Sequence, residues 1–124
     1  MKDEALAPPE LRLRTRDFSV RILRLGDSLP HTRSSDVIAH QIIRSGTSVG
    51  AHYREAARAR SNAEVISKLE TALQELDETD YWLELLIESK LVTAKKLEPL
   101  RKETNELIAI LVTCVKRVKA KAKR

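Results

Sequence analysis

The 124-residue chain holds one cysteine, Cys114, so neither an intramolecular disulfide nor a cysteine-cluster metal site can be built. Glycine occurs only at positions 26, 46 and 50 and proline only at 8, 9, 30 and 99, with neither between Ala51 and Glu98. That gap leaves no turn chemistry for a sheet and favours long helices. Four aromatic residues (Phe18, Tyr53, Tyr81, Trp82) are too few for a platform on which bases stack. The longest uncharged apolar run, Leu107 to Val115, is nine residues, well short of the roughly 20 needed to span a bilayer. The opening "MKDEALAPPE" lacks the apolar segment of a signal peptide. A soluble, cytoplasmic, all-α protein is expected.

What the chain does contain is Leu, Ile, Ala, Glu, Lys and Arg, the residues that cost a helix least. Its length suits one domain with one modest core. The net charge of +5 is unevenly distributed. Residues 61–92 carry 2 basic and 8 acidic side chains, whereas residues 93–124 carry 10 and 3. One acidic helix among basic ones predicts complementary packing, within the chain or between subunits. The last nine residues, "KRVKAKAKR", hold six cations and no acid, a pattern of extended, solvated tails that meet phosphate.

Periodicity and punctuation predict four helices. The first runs from about Leu11 to Leu29, with Phe18, Ile22, Leu25 and Leu29 inward and Pro30 as its stop. The second follows "TRSSD", where Ser35 or a neighbour caps, and its stripe is Ile38, Ile42, Ser45, Val49, His52 and Ala56. The third opens on a capping box, Ser61 with Glu64, and its stripe is Ile66, Leu69, Leu73, Leu76, Asp80, Leu83 and Ile87. The fourth starts near Thr93 and turns Leu100, Thr104, Leu107, Leu111, Cys114 and Val118 inward. Pro99 should kink it or mark its first turn. Short loops between long helices imply an up-down-up-down antiparallel four-helix bundle. Its expected bounds are 11–118, between a flexible N-terminus (1–10) and a basic tail (119–124).

Within the second helix, "SGTSVGA" from Ser45 to Ala51 has one residue, Val49, that is not small. Glycine and β-hydroxy residues weaken a helix by roughly 0.5–1 kcal/mol each, so close packing must compensate. Small residues on several sides of one helix predict cover by another subunit as well as by the chain's own helices. The surrounding stretch, Arg44 to Leu91, resembles the bacterial four-helix-bundle family of proteins encoded in intervening sequences of 23S ribosomal RNA genes. That family's pattern is Arg-x-x-x-Ser-hydrophobic-x-Ala-Asn-x-x-Glu, then a Ser-started third helix and an aromatic pair before Leu. Arg44, Ser48, Val49, Ala51, Glu55, Ser61 and Tyr81–Trp82 match it, while His52 stands where the pattern has asparagine. The resemblance implies a ring-shaped homopentamer. One branch of the family comprises accessory proteins of diversity-generating retroelements, basic pentamers that bind a reverse transcriptase and nucleic acid. The resemblance does not select the branch.

Ser48 and His52 are one turn apart, as a nucleophile and base must be. No orienting acid or free backbone donor accompanies them, so His52 reads as a buried polar residue needing a partner, with Asp80 the candidate. A carboxylate-bridged metal pair needs Glu-x-x-His on two helices; His40 and His52 are each preceded at that spacing by valine, and His31 lies in a loop. No metal, cofactor or small-molecule substrate is therefore expected. Arg44 and Glu55 are candidates for inter-helix or inter-subunit ion pairs, Gly50 for close packing, and Tyr81 and Trp82 for interface anchors. Arg54, Arg58, Arg60, Lys116, Arg117, Lys119, Lys121, Lys123 and Arg124 are candidate nucleic-acid contacts. Together these readings predict a non-enzymatic, homo-oligomeric scaffold that meets RNA, DNA or a reverse-transcriptase complex electrostatically. The alternative is a protein–protein adaptor that never meets nucleic acid.

Overall fold

Helix α1 (Glu10–Ser28) turns Leu11, Thr15, Phe18, Ile22 and Gly26 into the core, and the chain leaves it at Pro30. The computed structural model describes residues 10–123; the expected flexible N-terminus up to residue 9, and Arg124, lie outside them. Three further helices follow: α2 (Arg33–Ala57), α3 (Asn62–Glu88) and α4 (Ala94–Ala122). Close approaches between neighbours run in opposite senses along each pair. Ile22 faces Gly46 and Thr15 faces Gly50 between α1 and α2. Arg44 reaches Glu75 and Lys68 reaches Glu55 between α2 and α3. Arg101 reaches Asp80 and Lys119 reaches Glu70 between α3 and α4. The helices therefore alternate in direction as an antiparallel bundle, with no strand among the described residues.

The caps differ in detail from the expected ones. Thr32, not Ser35, caps α2, its Oγ1 accepting from the Ser35 N–H at 3.2 Å. Ser35 is fully buried one turn in, and its hydroxyl has no hydrogen-bond partner. Ser61 caps α3, accepting from the Glu64 N–H at 3.1 Å. The return bond of the box comes from Arg60, whose N–H lies 3.5 Å from Glu64 Oε2. At the far end of α3, Lys90 adopts φ 63°. The Lys90 N–H meets the Ile87 carbonyl at 2.9 Å and the Leu91 N–H meets the Leu86 carbonyl at 3.0 Å, the double closure of a helix by a left-handed residue. Thr93 caps α4. Pro99 is the sixth residue of that helix, not its first turn, and it is exposed. The Lys95 carbonyl that it leaves unpaired can therefore be hydrated.

The core seam of α3 runs through Val65, Leu69, Ala72, Leu76, Thr79, Leu83 and Leu86. At every second position it is the neighbour of the predicted residue. Ile66, Leu73, Asp80 and Ile87 are half-buried at its flank. The reason is that α3 packs on both α2 and α4, so its apolar arc is broad and two adjacent registers both lie within it; the closest seam takes Val65 and Ala72 over the larger Ile66 and Leu73, and the uncharged Thr79 over Asp80. Thr79 and Ser45 form a buried bond across it at 2.8 Å. Because Thr79 donates to the Glu75 carbonyl, Ser45 is the donor. The predicted inward residues of α4 are all buried. The helix also continues through the basic run to Ala122 instead of ending at residue 118. Alanines at 120 and 122 favour helix, and cations suit a helix C-terminus.

Candidate interface residues

The small residues of α2 are used mainly against α1. A Cβ on Gly46 would lie 2.7 Å from Ile22 Cγ1, and one on Gly50 would lie 3.3 Å from Thr15 Oγ1. Across the same seam a Cβ on Gly26 would meet Ile43 Cδ1 at 2.5 Å. Ser45 is committed to Thr79, while Thr47 and Ser48 donate to carbonyls one turn back, at Ile43 and Arg44. The two glycines and Ser45 thus have partners within the chain. That accounts for the two glycines and Ser45 within one chain, while Thr47 and Ser48 are half-buried and Ala51 is exposed.

On the outer side of α2 and α3, Arg44 bridges Glu75 at 3.4 Å and also bonds Glu78. The indole N–H of Trp82 donates to the same Glu78 carboxylate at 3.0 Å, and Tyr81 leans on Trp82 with ring centroids 5.2 Å apart. The Trp82 bond, helped by Arg44, holds the Glu78 carboxyl below its ordinary value, and the bond to Glu78 raises that of Arg44. Tyr81 is 53% exposed. Towards the end of α2, His52 is neither buried nor joined to Asp80. Its Nδ1 lies 2.7 Å from Glu55 Oε1, and that bond, with Lys68 nearby, lowers the Glu55 carboxyl. Asp80 instead receives Arg101, at 3.3 and 3.4 Å. Tyr53 takes the core position predicted for His52, because a phenol buries more apolar area one step round the helix. Burial raises its hydroxyl and, on α4, the Cys114 thiol.

A model of the 23S rRNA-intervening sequence protein family matches residues 10–113. A solved protein of unknown function from the S23 ribosomal protein family of Bacteroides thetaiotaomicron is 39% identical, with a TM-score of 0.80, over 94% of this chain and 99% of that one. No curated protein matches. The chain belongs to the 23S rRNA-intervening sequence protein family. Two charged residues of the second-helix pattern have a plain structural use here: Arg44 and Glu55 each reach an oppositely charged residue of α3. Gly50, at an unspecified position of that pattern, admits α1.

A stronger cross-helix bond carries no motif. Arg14 grips Glu103 with two parallel bonds of 2.8 and 2.7 Å and reaches Glu106 at 3.2 Å, tying α1 to α4. Nothing in the spacing along the chain pairs residues 14 and 103. The candidate cations fall together for topological reasons. The end of α2, the loop after it and the end of α4 share one end of the bundle, here the Glu10 end. Arg54, Arg58, Arg60, Lys116, Arg117, Lys119, Lys121 and Lys123 therefore lie towards that end, on helices that do not pack on each other, as do Arg12 and Arg16 of α1. Lys119 is tied to Glu70 at 3.4 Å. Arg54, Arg58, Arg60, Lys116, Arg117 and Lys123 form no ion pair among the described residues. Also among the described residues, no group of three His, Cys, Asp or Glu could hold a metal ion, and no helix is long and apolar enough to cross a membrane.

Proposed function

We propose that this protein is a non-enzymatic, homo-oligomeric scaffold that contacts nucleic acid electrostatically through the Glu10 end of the bundle. The observation that carries the reading is the placement towards that end of cations from α2, its following loop and α4, six of them without a carboxylate partner among the described residues. Unpaired cations at a surface are what a phosphate backbone recruits, releasing counterions as it does so. With few aromatics to stack bases, such contact is indifferent to sequence.

Assembly as a ring-shaped homopentamer would bring five such ends onto one particle. Support for assembly comes from α1, where Leu13, Val20 and Leu23 are 51, 38 and 41% exposed on the side away from the core. Large apolar side chains aligned on one helix face mark a covered surface. An RNA–reverse-transcriptase complex is the corresponding partner. Filter binding of RNA and DNA over a salt series tests the reading. Expected is retention of unrelated sequences alike, with log affinity falling against log salt by about 0.9 per phosphate for duplex and 0.7 for single strands. No retention at low salt favours the adaptor reading, in which the apolar face of α1 meets another protein.

A further inference from the structure

At the opposite end of the bundle the α1–α4 seam is open. The last turns of α1, the loop through Pro30, and the first turns of α4 surround a cleft of about 570 Å³. Its walls are apolar, with Leu25 and Leu29 on one side and Leu97 and Leu100 on the other. Arg21, Arg24 and Lys96 stand around it, and no acidic residue lines it. None of these three cations forms an ion pair among the described residues, whereas Arg14, Arg16 and Arg44 elsewhere on α1 and α2 each hold a carboxylate.

The cleft borders a tight contact between α1 and α2. Gly26 and Gly46 let α1 lie tightly on α2, with Ile43 and Ile22 filling the space of the missing Cβ atoms. The Arg14–Glu103 bond ties α1 to α4 lower down. The left-handed turn at Lys90 brings Leu91 and Val92 across the base of the gap.

We infer that this cleft binds a free single-chain anionic amphiphile, its aliphatic chain between Leu25, Leu29, Leu97 and Leu100 and its carboxylate among Arg21, Arg24 and Lys96. Charge complementarity selects the head: three cations with no local acid favour an anion, and guanidinium forks suit carboxylate oxygens. Size selects the body. The volume lies within the range of small-molecule sites. The helical part of the α1 wall, residues 21–28, spans roughly 10 Å at a helical rise of about 1.5 Å each, and Leu29 and Pro30 extend it beyond the helix, the reach of one medium-length chain and too short to seat a partner helix of several turns. The site is distinct from the basic end proposed to meet nucleic acid, so either can fail without the other.

Titration calorimetry of the full chain with laurate below its micelle concentration tests this, alongside dodecyltrimethylammonium and neutral dodecanol. Expected is saturable binding of one laurate per chain, with the cationic analogue at least tenfold weaker. Leu25→Trp, which fills the cleft, should abolish binding. Arg24→Glu with Lys96→Glu, both at exposed positions, should weaken it roughly tenfold, as reversal of two exposed charges allows, with the circular-dichroism spectrum unchanged. No heat with laurate, equal affinity for the cation, or laurate affinity unaltered in the charge-reversed variant overturns the inference. Pelleting with phosphatidylglycerol vesicles without binding of monomeric laurate assigns the cations to a membrane surface and overturns it too. So does a change of oligomeric mass in Leu25→Trp without laurate binding to the parent, because the cleft is then a subunit contact.

Discussion

At Ser35 a hydroxyl is fully buried without a partner, a loss of hydration that roughly 1–3 kcal/mol describes. Ser35→Ala removes the orphan with little change in shape and should raise stability by about 1 kcal/mol, read as a higher urea midpoint at unchanged m. An unchanged or lowered midpoint would mean that the hydroxyl is satisfied in solution. Gly46 presents the reverse case. Alanine gains helix propensity, yet its methyl would sit 2.7 Å from two branches of Ile22 close to that residue's own backbone, where little can give. Overpacking of about 1–3 kcal/mol outweighs the 0.5–1 kcal/mol of propensity, so Gly46→Ala should melt lower. Gly50→Ala, with 3.3 Å to Thr15 Oγ1, should lose less. Equal melting points for the two would disprove this reading of the α1–α2 seam. His52 was legible as polar and helical but not as lying at the half-buried flank of the core, because one 100° step separates it from Tyr53 and both suit an amphipathic helix.

At the scale of elements, the end of α3 and its outer face each carry a consequence. Lys90 occupies a left-handed conformation that costs a side-chain-bearing residue about 1–2 kcal/mol. Lys90→Gly removes that strain but adds freedom to the unfolded chain, so a net gain of about 0.5–1 kcal/mol is expected in thermal or urea unfolding. A destabilised variant would show that the lysine side chain, not the turn, matters. On the face of α3, the Glu78 carboxyl is held below its ordinary value of 4.5, first by Trp82 and then by Arg44. A depressed carboxylate stabilises the fold fully above its unfolded value and loses that contribution as pH falls through the lower, folded value. Stability should therefore fall with acid below about pH 4.5, and Glu78→Gln should flatten that slope while costing stability at neutral pH. Parallel curves for parent and variant would remove Glu78 from the acid response. The helices themselves were legible from spacing and caps. The seam of α3 was not, since pairs such as Ala72–Leu73 and Thr79–Asp80 leave two registers open, and packing against two neighbours chose the smaller residue in the first pair and the uncharged one in the second.

For the whole molecule, the decisive feature is the separation of its surfaces: cations at the Glu10 end, an apolar stripe outside α1, an open cleft at the Pro30 end. Truncation after Val118 removes the last helical turn and Lys119, whose carboxylate partner among the described residues is the exposed Glu70. Exposed pairs contribute about 0–1 kcal/mol, so folding and assembly should survive. Affinity for RNA and its salt slope should both drop; an unchanged slope would exclude the basic run from binding. Light scattering should give a multiple of the 14.1 kDa chain mass, five for the proposed ring. Leu13→Glu with Val20→Glu should lower it. A parent that scatters as a single chain at tens of micromolar sinks the assembly.

The sequence by itself determined the class, the number of helices, their approximate ends and the inward face of α4, because those follow from local periodicity, caps and the scarcity of glycine and proline. It also determined the family, through the Arg44-to-Glu55 pattern. Only the tertiary structure decided that Gly46 and Gly50 admit α1, that Arg14 grips Glu103, that Asp80 answers Arg101 and not His52, and that the α1–α4 seam stays open. Each of these depends on which helix faces which and at what height. That information lies in the packing of distant segments, where burial of the whole apolar surface outweighs the preference of any one residue.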